Sequence, residues 1–142
     1  MARARREILL EKPEFRYKAF LSYSHQDSKW ARRLHRALES YRIPRRIAAS
    51  RTPSELRLKP IFRDRDELAS AADLSSTIRS ALAESEYLIV ICSRHSAQSR
   101  WVNQEIEEFI RLGRTEKILC FALDDPSEYR PAALSSLESL AA

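Results

Sequence analysis

Tyr87-Leu88-Ile89-Val90-Ile91-Cys92 is an unbroken apolar run with no polar residue alternating through it. A strand with one face in water alternates, whereas a strand covered on both faces of a parallel sheet reads as a continuous hydrophobic run. Ile118 to Leu123 has the same character and predicts a second doubly buried strand. Upstream, Ala19-Phe20-Leu21 inside Lys18 to Ser24 marks an earlier strand, and Pro60-Ile61-Phe62 a short one. Helical spacing fills the gaps. Trp30, Leu34, Ala37, Leu38 and Tyr41 recur after a cap at Asp27 or Ser28, and Pro44 stops that helix. Ile78 and Leu82 follow a cap at Ser75 or Ser76. Val102, Ile106, Phe109 and Ile110 define a helix from about Ser99 to Leu112, with Gly113 suited to its C-terminal cap. Ala132 to Leu140 is weakly helical.

Strand and helix thus alternate four times, which implies an α/β fold: a parallel sheet with helices on both faces and a flavodoxin-like strand order. A fifth strand is missing from the series. The 142 residues therefore read as the N-terminal part of a longer protein, with a basic tail over 1–16 and one domain over 17–142.

Composition narrows the function. Hydrophobic residues make up 44% and charged residues 32%, the proportions of a globular chain. No apolar run approaches the ~20 residues of a membrane span, and only Ile8, Leu9 and Leu10 follow the basic start, too few for a secretory leader. A cytoplasmic protein is expected. Cys92 and Cys120 each sit in an apolar run and are expected to be reduced, buried thiols in neighbouring strands. His25, His35 and His95 are too scattered for a metal cluster, so no metal is expected. The net charge of +5 raises nucleic-acid binding, but the basic residues have no aromatic side chains interleaved for base stacking, so that partner is not expected. Gly113 is the only glycine, which rules out both a dinucleotide-binding glycine fingerprint and a P-loop.

In open α/β sheets, ligands bind beyond the carboxyl ends of the strands where the strand order reverses. Here that point lies between the first and third strands. Ser22 to Asp27 and Ser93 to Arg100 would line it, with Trp101 and Glu105 on the helix behind. Residues four apart share a helix side, so Trp101, Glu105, Glu108 and Leu112 form one stripe beside the buried one, while Glu107 points to water. Glu105 is the carboxylate best placed to be half-buried beside an aromatic ring. Spacing alone also suits, and by itself favours, a helix-surface glutamate beside an arginine.

Three segments carry a resemblance. They are Ala-Phe-Leu-Ser-Tyr-Ser at 19–24, Phe-Arg-Asp-Arg-Asp-Glu-Leu at 62–68 with Ala-Asp-Leu at 72–74, and Ser-Arg-Trp-Val-Asn-Gln-Glu-Ile at 99–106. In this order and spacing the chain, from about Tyr17 to Leu123, resembles the Toll/interleukin-1 receptor (TIR) domain family in its bacterial form. In members that cleave NAD, the glutamate of the Trp-Val-x-x-Glu segment is catalytic, and Glu105 occupies that place. The resemblance implies a NAD glycohydrolase with NAD as substrate and no cofactor, releasing nicotinamide and ADP-ribose or a cyclic variant, in bacterial immune signalling or defence. Ser24, His25, Phe62, Arg63, Asp64 and Trp101 are the candidate substrate-binding residues. It also implies self-association through helix faces and the BB loop, Arg63 to Asp73, which would switch activity on. A non-catalytic TIR–TIR scaffold is the alternative. The BB loop departs from the family: Ala69, Ser70, Ala71 and Ala72 stand where Pro and Gly are usual. A receiver domain has a similar sheet but needs an aspartate at the end of the third strand, where this chain has Cys92-Ser93.

Overall fold

A computed structural model of the chain describes residues 14–47, 56–64, 74–124 and 131–134. Four strands, β1 (Tyr17–Ser22), β2 (Ile61–Arg63), β3 (Ser85–Cys92) and β4 (Ile118–Ala122), form one sheet in the order β2-β1-β3-β4. Every pairing is parallel: Phe20 lies opposite Phe62 on one side and Leu88 on the other, and Val90 lies opposite Cys120. The helices are α1 (Ser28–Ser40), α2 (Ser76–Ala83), the short α3 (Arg94–Gln98) and α4 (Arg100–Arg111). The expected flavodoxin-like order is therefore present, with β1 and β3 adjacent.

Side chains alternate across a strand, and here the alternation sorts the core into two layers. Phe20, Leu88, Val90 and Cys92 face α2 and α4, where they meet Ile78, Leu82, Val102, Ile106 and Phe109. Ala19, Leu21, Tyr23 and Ile91 face the other way and meet Ala31, Leu34 and Leu38 of α1. Six consecutive apolar residues in β3 are explained by these two layers.

Local chemistry sets the helix ends. The Ser75 hydroxyl accepts from the Ile78 amide at the start of α2, and Ser99 does the same for Val102 at the start of α4. After α4, Gly113 turns left-handed with φ of 81° and its amide donates to the Ile110 carbonyl at 2.9 Å. The Arg114 guanidinium then reaches back to the carbonyls of Leu82, Ala83 and Ser85, tying the end of α2 to the start of β3. Burial lowers the pKa of Arg114.

Two expectations need correction. β4 is not doubly buried: it is the edge of the described sheet, with Leu119 51% and Phe121 40% exposed. No described helix lies over its outer part, and periodicity cannot tell a central strand from an edge strand of like composition. Cys92 and Cys120 do lie in neighbouring strands, but they are joined as a disulfide, and Cys120 is exposed. The parallel register sets their Cα atoms 6.3 Å apart, within disulfide reach. No described helix is long and apolar enough to cross a membrane. The expected basic tail up to residue 13, the BB loop from residue 65 to 73 and most of the expected last helix lie outside the described residues.

Candidate active site

β1 ends at Ser22, Tyr23 and Ser24 follow it, all three buried, and the chain then turns through a single 3-10 turn at His25–Asp27 into α1. Two contacts tie this segment to its neighbours. The Tyr23 hydroxyl donates to the Asp64 carbonyl just beyond β2 at 2.5 Å. On the other side the Ser93 hydroxyl, just beyond β3, donates to the buried Asp27 carboxylate at 2.5 Å. Ser93 also accepts from the amides of His95 and Ser96, and Ser96 returns a bond to the Ser93 amide, so a capping box opens α3. The Arg94 amide donates to Asp124 and the Leu123 amide to the Cys92 carbonyl, which draws in the end of β4. The carboxyl ends of all four strands are thereby fastened to one another.

α4 stands behind this row. Val102, Ile106 and Phe109 are fully buried, and Glu105 joins them at 3% exposure. Trp101, one turn earlier on the same side, is half-buried against the core layer of Phe20 and Val90. The other two carboxylates of α4 behave differently. Glu107 is exposed. Glu108 pairs with Arg111 at 2.5 Å, and that hydrogen bond lowers the glutamate pKa and raises that of the arginine. Among the three, only Glu105 is fully buried.

The other candidate residues separate. Ser24 is buried and its carbonyl accepts from the Asp27 amide, while His25 is exposed. Asp64 is held at the β1 end by Tyr23. Phe62 stacks on Phe20 at 5.0 Å and meets Tyr17 edge-on at 5.2 Å, lining a different hollow beside Arg16, Thr77 and Ser80. Arg63 lines a third hollow under α1, with Arg32, Arg36 and Arg57. Beyond β1, β3 and β4 an open hollow of about 620 Å³ is lined by Asp27, Trp30, Ser93, His95, Phe121 and Asp124, and neither Ser24 nor Glu105 is part of its lining. Among the described residues no cluster of three or more His, Cys, Asp or Glu side chains could hold a metal.

Tyr23, Asp27 and Ser93 lie in the two segments expected to line the crevice, but their fastening bonds appear only when the topology brings the strand ends together. Ser22, in the first of those segments, was not expected to be buried without a partner. That side chain is fully buried on the Phe20 face of β1, and its hydroxyl has no hydrogen-bond partner among the described residues.

Comparison with known proteins decides the family: the TIR domain family model matches residues 19–141. The chain belongs to the TIR domain family. A curated relative, the NAD(+) hydrolase ApTIR of Actinoplanes sp. (strain ATCC 31044 / CBS 674.73 / SE50/110), is 37% identical over 105 residues. That match spans 73% of this chain and 14% of the relative's length. A solved structure of the activated Roq1 resistosome directly recognizing the pathogen effector XopQ (TIR domains) is similar in fold. Its TM-score is 0.54 at 22% identity, covering 89% of this chain and 71% of that one. The described four-stranded parallel sheet with its flanking helices is that of a TIR domain.

Proposed function

We propose that this TIR domain is a NAD glycohydrolase in which Glu105 is the catalytic carboxylate. The observation that carries the proposal is the burial of Glu105, at 3% exposure on the Trp101-to-Ile106 segment, while Glu107 on the same helix lies in water. Its similarity to a curated NAD(+) hydrolase at 37% identity supports the same reading.

The chemistry needs little else. The nicotinamide of NAD is already cationic and leaves without a general acid. Breaking the C–N bond sends both electrons to the ring nitrogen and builds positive charge on the ribose, as in glycoside cleavage. Water then adds to the sugar and loses a proton, giving ADP-ribose. A carboxylate held in a fixed, poorly hydrated place stabilises that charge without reorganising. In this scheme Trp101 packs the ribose or the nicotinamide, and Ser24 and Asp64 at the joined ends of β1 and β2 hold polar parts of the substrate. His25, Phe62 and Arg63 belong to the same binding set in this reading.

Self-association as the activating step, in signalling or defence, is part of the proposal. The test is nicotinamide release from NAD by concentrated protein, comparing the unaltered chain with Glu105→Ala and Glu107→Ala. Loss in the first variant alone supports the reading; equal rates in all three reject it.

A further inference from the structure

α1 and the segment leading into β2 border an open hollow of about 460 Å³, within the ~300–1,000 Å³ of small-molecule sites. Five cationic side chains line it: Arg32 and Arg36 from α1, Arg57 and Lys59 from the approach to β2, and Arg63 from its end. Arg32 and Arg36 are four residues apart and so share one side of the helix. The one carboxylate in the lining, Glu39, is already engaged, its Oε1 accepting from the Ile61 amide at 3.0 Å. His35 is engaged too, its Nε2 hydrogen-bonding the Ile61 carbonyl at 2.8 Å. These two bonds satisfy backbone groups at the outer edge of the sheet and fix the back wall of the hollow.

None of the five cations is paired with a carboxylate among the described residues. The Arg63 Nε is buried and has no hydrogen-bond partner there. Like charges gathered from three chain segments repel one another and destabilise the fold unless an anion joins them. A second, smaller hollow shares Arg57 and adds Arg42 and Arg45. Four of the five cations of the main hollow are arginines, whose planar forks bind phosphate oxygens in pairs.

We propose that this hollow binds a small anion carrying two or more phosphate groups, at a site distinct from Glu105. Two features favour a compact ligand over a nucleic acid. The cations converge on a concavity, and no aromatic side chain lines it for base stacking. The proposal stands whether or not Glu105 cleaves NAD, because none of its cationic groups except Arg63 enters that reading.

Inorganic tripolyphosphate is the probe, titrated calorimetrically into the purified chain at 150 mM salt. The expected result is saturable one-site binding that raises the melting temperature. Arg36→Glu and Arg57→Glu should each weaken it at least tenfold, and Arg36→Lys less. Arg79→Glu, on α2 at the opposite face of the sheet, should leave it unchanged. Melting curves of the unliganded variants identify any that misfold, and Lys59→Glu then serves in place of one that does. The proposal is overturned by absence of saturable binding, or by equal binding in all charge-reversal variants. Stoichiometric displacement of tripolyphosphate by NAD also overturns it, since the hollow would then be the substrate's own. So does an oligonucleotide that binds where tripolyphosphate does not, which would assign the surface to nucleic acid.

Discussion

Replacing Ser93 by alanine tests how the strand ends are held. The hydroxyl makes three bonds at once: it accepts from the His95 and Ser96 amides at 3.2 and 3.1 Å and donates to Asp27 at 2.5 Å. Losing the cap costs about 1 kcal/mol. The larger cost falls on Asp27, 5% exposed, which loses its hydrogen-bond donor; stranding such a group costs ~1–3 kcal/mol. Together these predict about 2–4 kcal/mol, or roughly 6–12 °C in melting temperature at ~3 °C per kcal/mol for a domain of this size. Ser99→Ala is the internal control. Ser99 caps α4 through Val102 at 3.3 Å and has no carboxylate partner among the described residues, so its loss should stop near the ~1 kcal/mol of a cap. Urea unfolding of Ser93→Ala, Asp27→Ala and the double variant completes the cycle. The double variant should be more stable than the sum of the singles predicts, by at least ~1 kcal/mol, because each single change leaves the other partner stranded. Additivity within ~0.5 kcal/mol, or a Ser93 effect no larger than that of Ser99, would refute the reasoning.

Three further outcomes are expected. Arg114→Ala should cost about 2–3 kcal/mol in chemical unfolding, since it removes hydrogen bonds from a charged donor to three carbonyls at the α2–β3 junction. Gly113→Ala should cost about 1 kcal/mol from backbone conformation alone, since φ is 81° and no atom lies within 4 Å of the added Cβ, and Gly113→Asn should cost less. Glu108 has a lowered pKa in the folded chain, so its pair with Arg111 stabilises fully above the ordinary carboxylate range and loses that contribution as pH falls through the folded pKa. Stability measured from pH 7 to pH 3 should therefore fall only slightly less steeply in Glu108→Gln, because Arg111 is largely exposed and solvent screens the pair.

Much of the fold was legible because its signals are local. The β3 run, the α4 periodicity and Gly113 each declare one element, and alternation of elements fixes a parallel sheet. What stayed hidden depends on neighbours far away in the chain. Ile118 to Leu123 has the composition of a central strand, yet edge position is a property of the whole sheet, and Leu119 and Phe121 are exposed by it. The Cys92–Cys120 bond follows from the β3–β4 register, which no apolar run reveals. At the site, the stripe of Trp101 and Glu105 was readable from helical spacing, and Glu105 is more deeply buried than spacing required. Arg63 and Phe62 adjoin in sequence and diverge in space because successive strand residues face opposite ways, so they line different hollows.

The role of Glu105 is tested most directly by nicotinamide release measured alongside melting temperature in Glu105→Ala and Glu107→Ala, at matched protein concentration. Both variants lose one carboxylate from α4, so charge and helix propensity change alike. Our account predicts that Glu105→Ala loses cleavage by at least ~100-fold, the scale of one preorganised electrostatic group, with melting unchanged or raised, while Glu107→Ala keeps both. Unaltered cleavage in folded Glu105→Ala, or a loss of cleavage matched by Glu107→Ala, would contradict it.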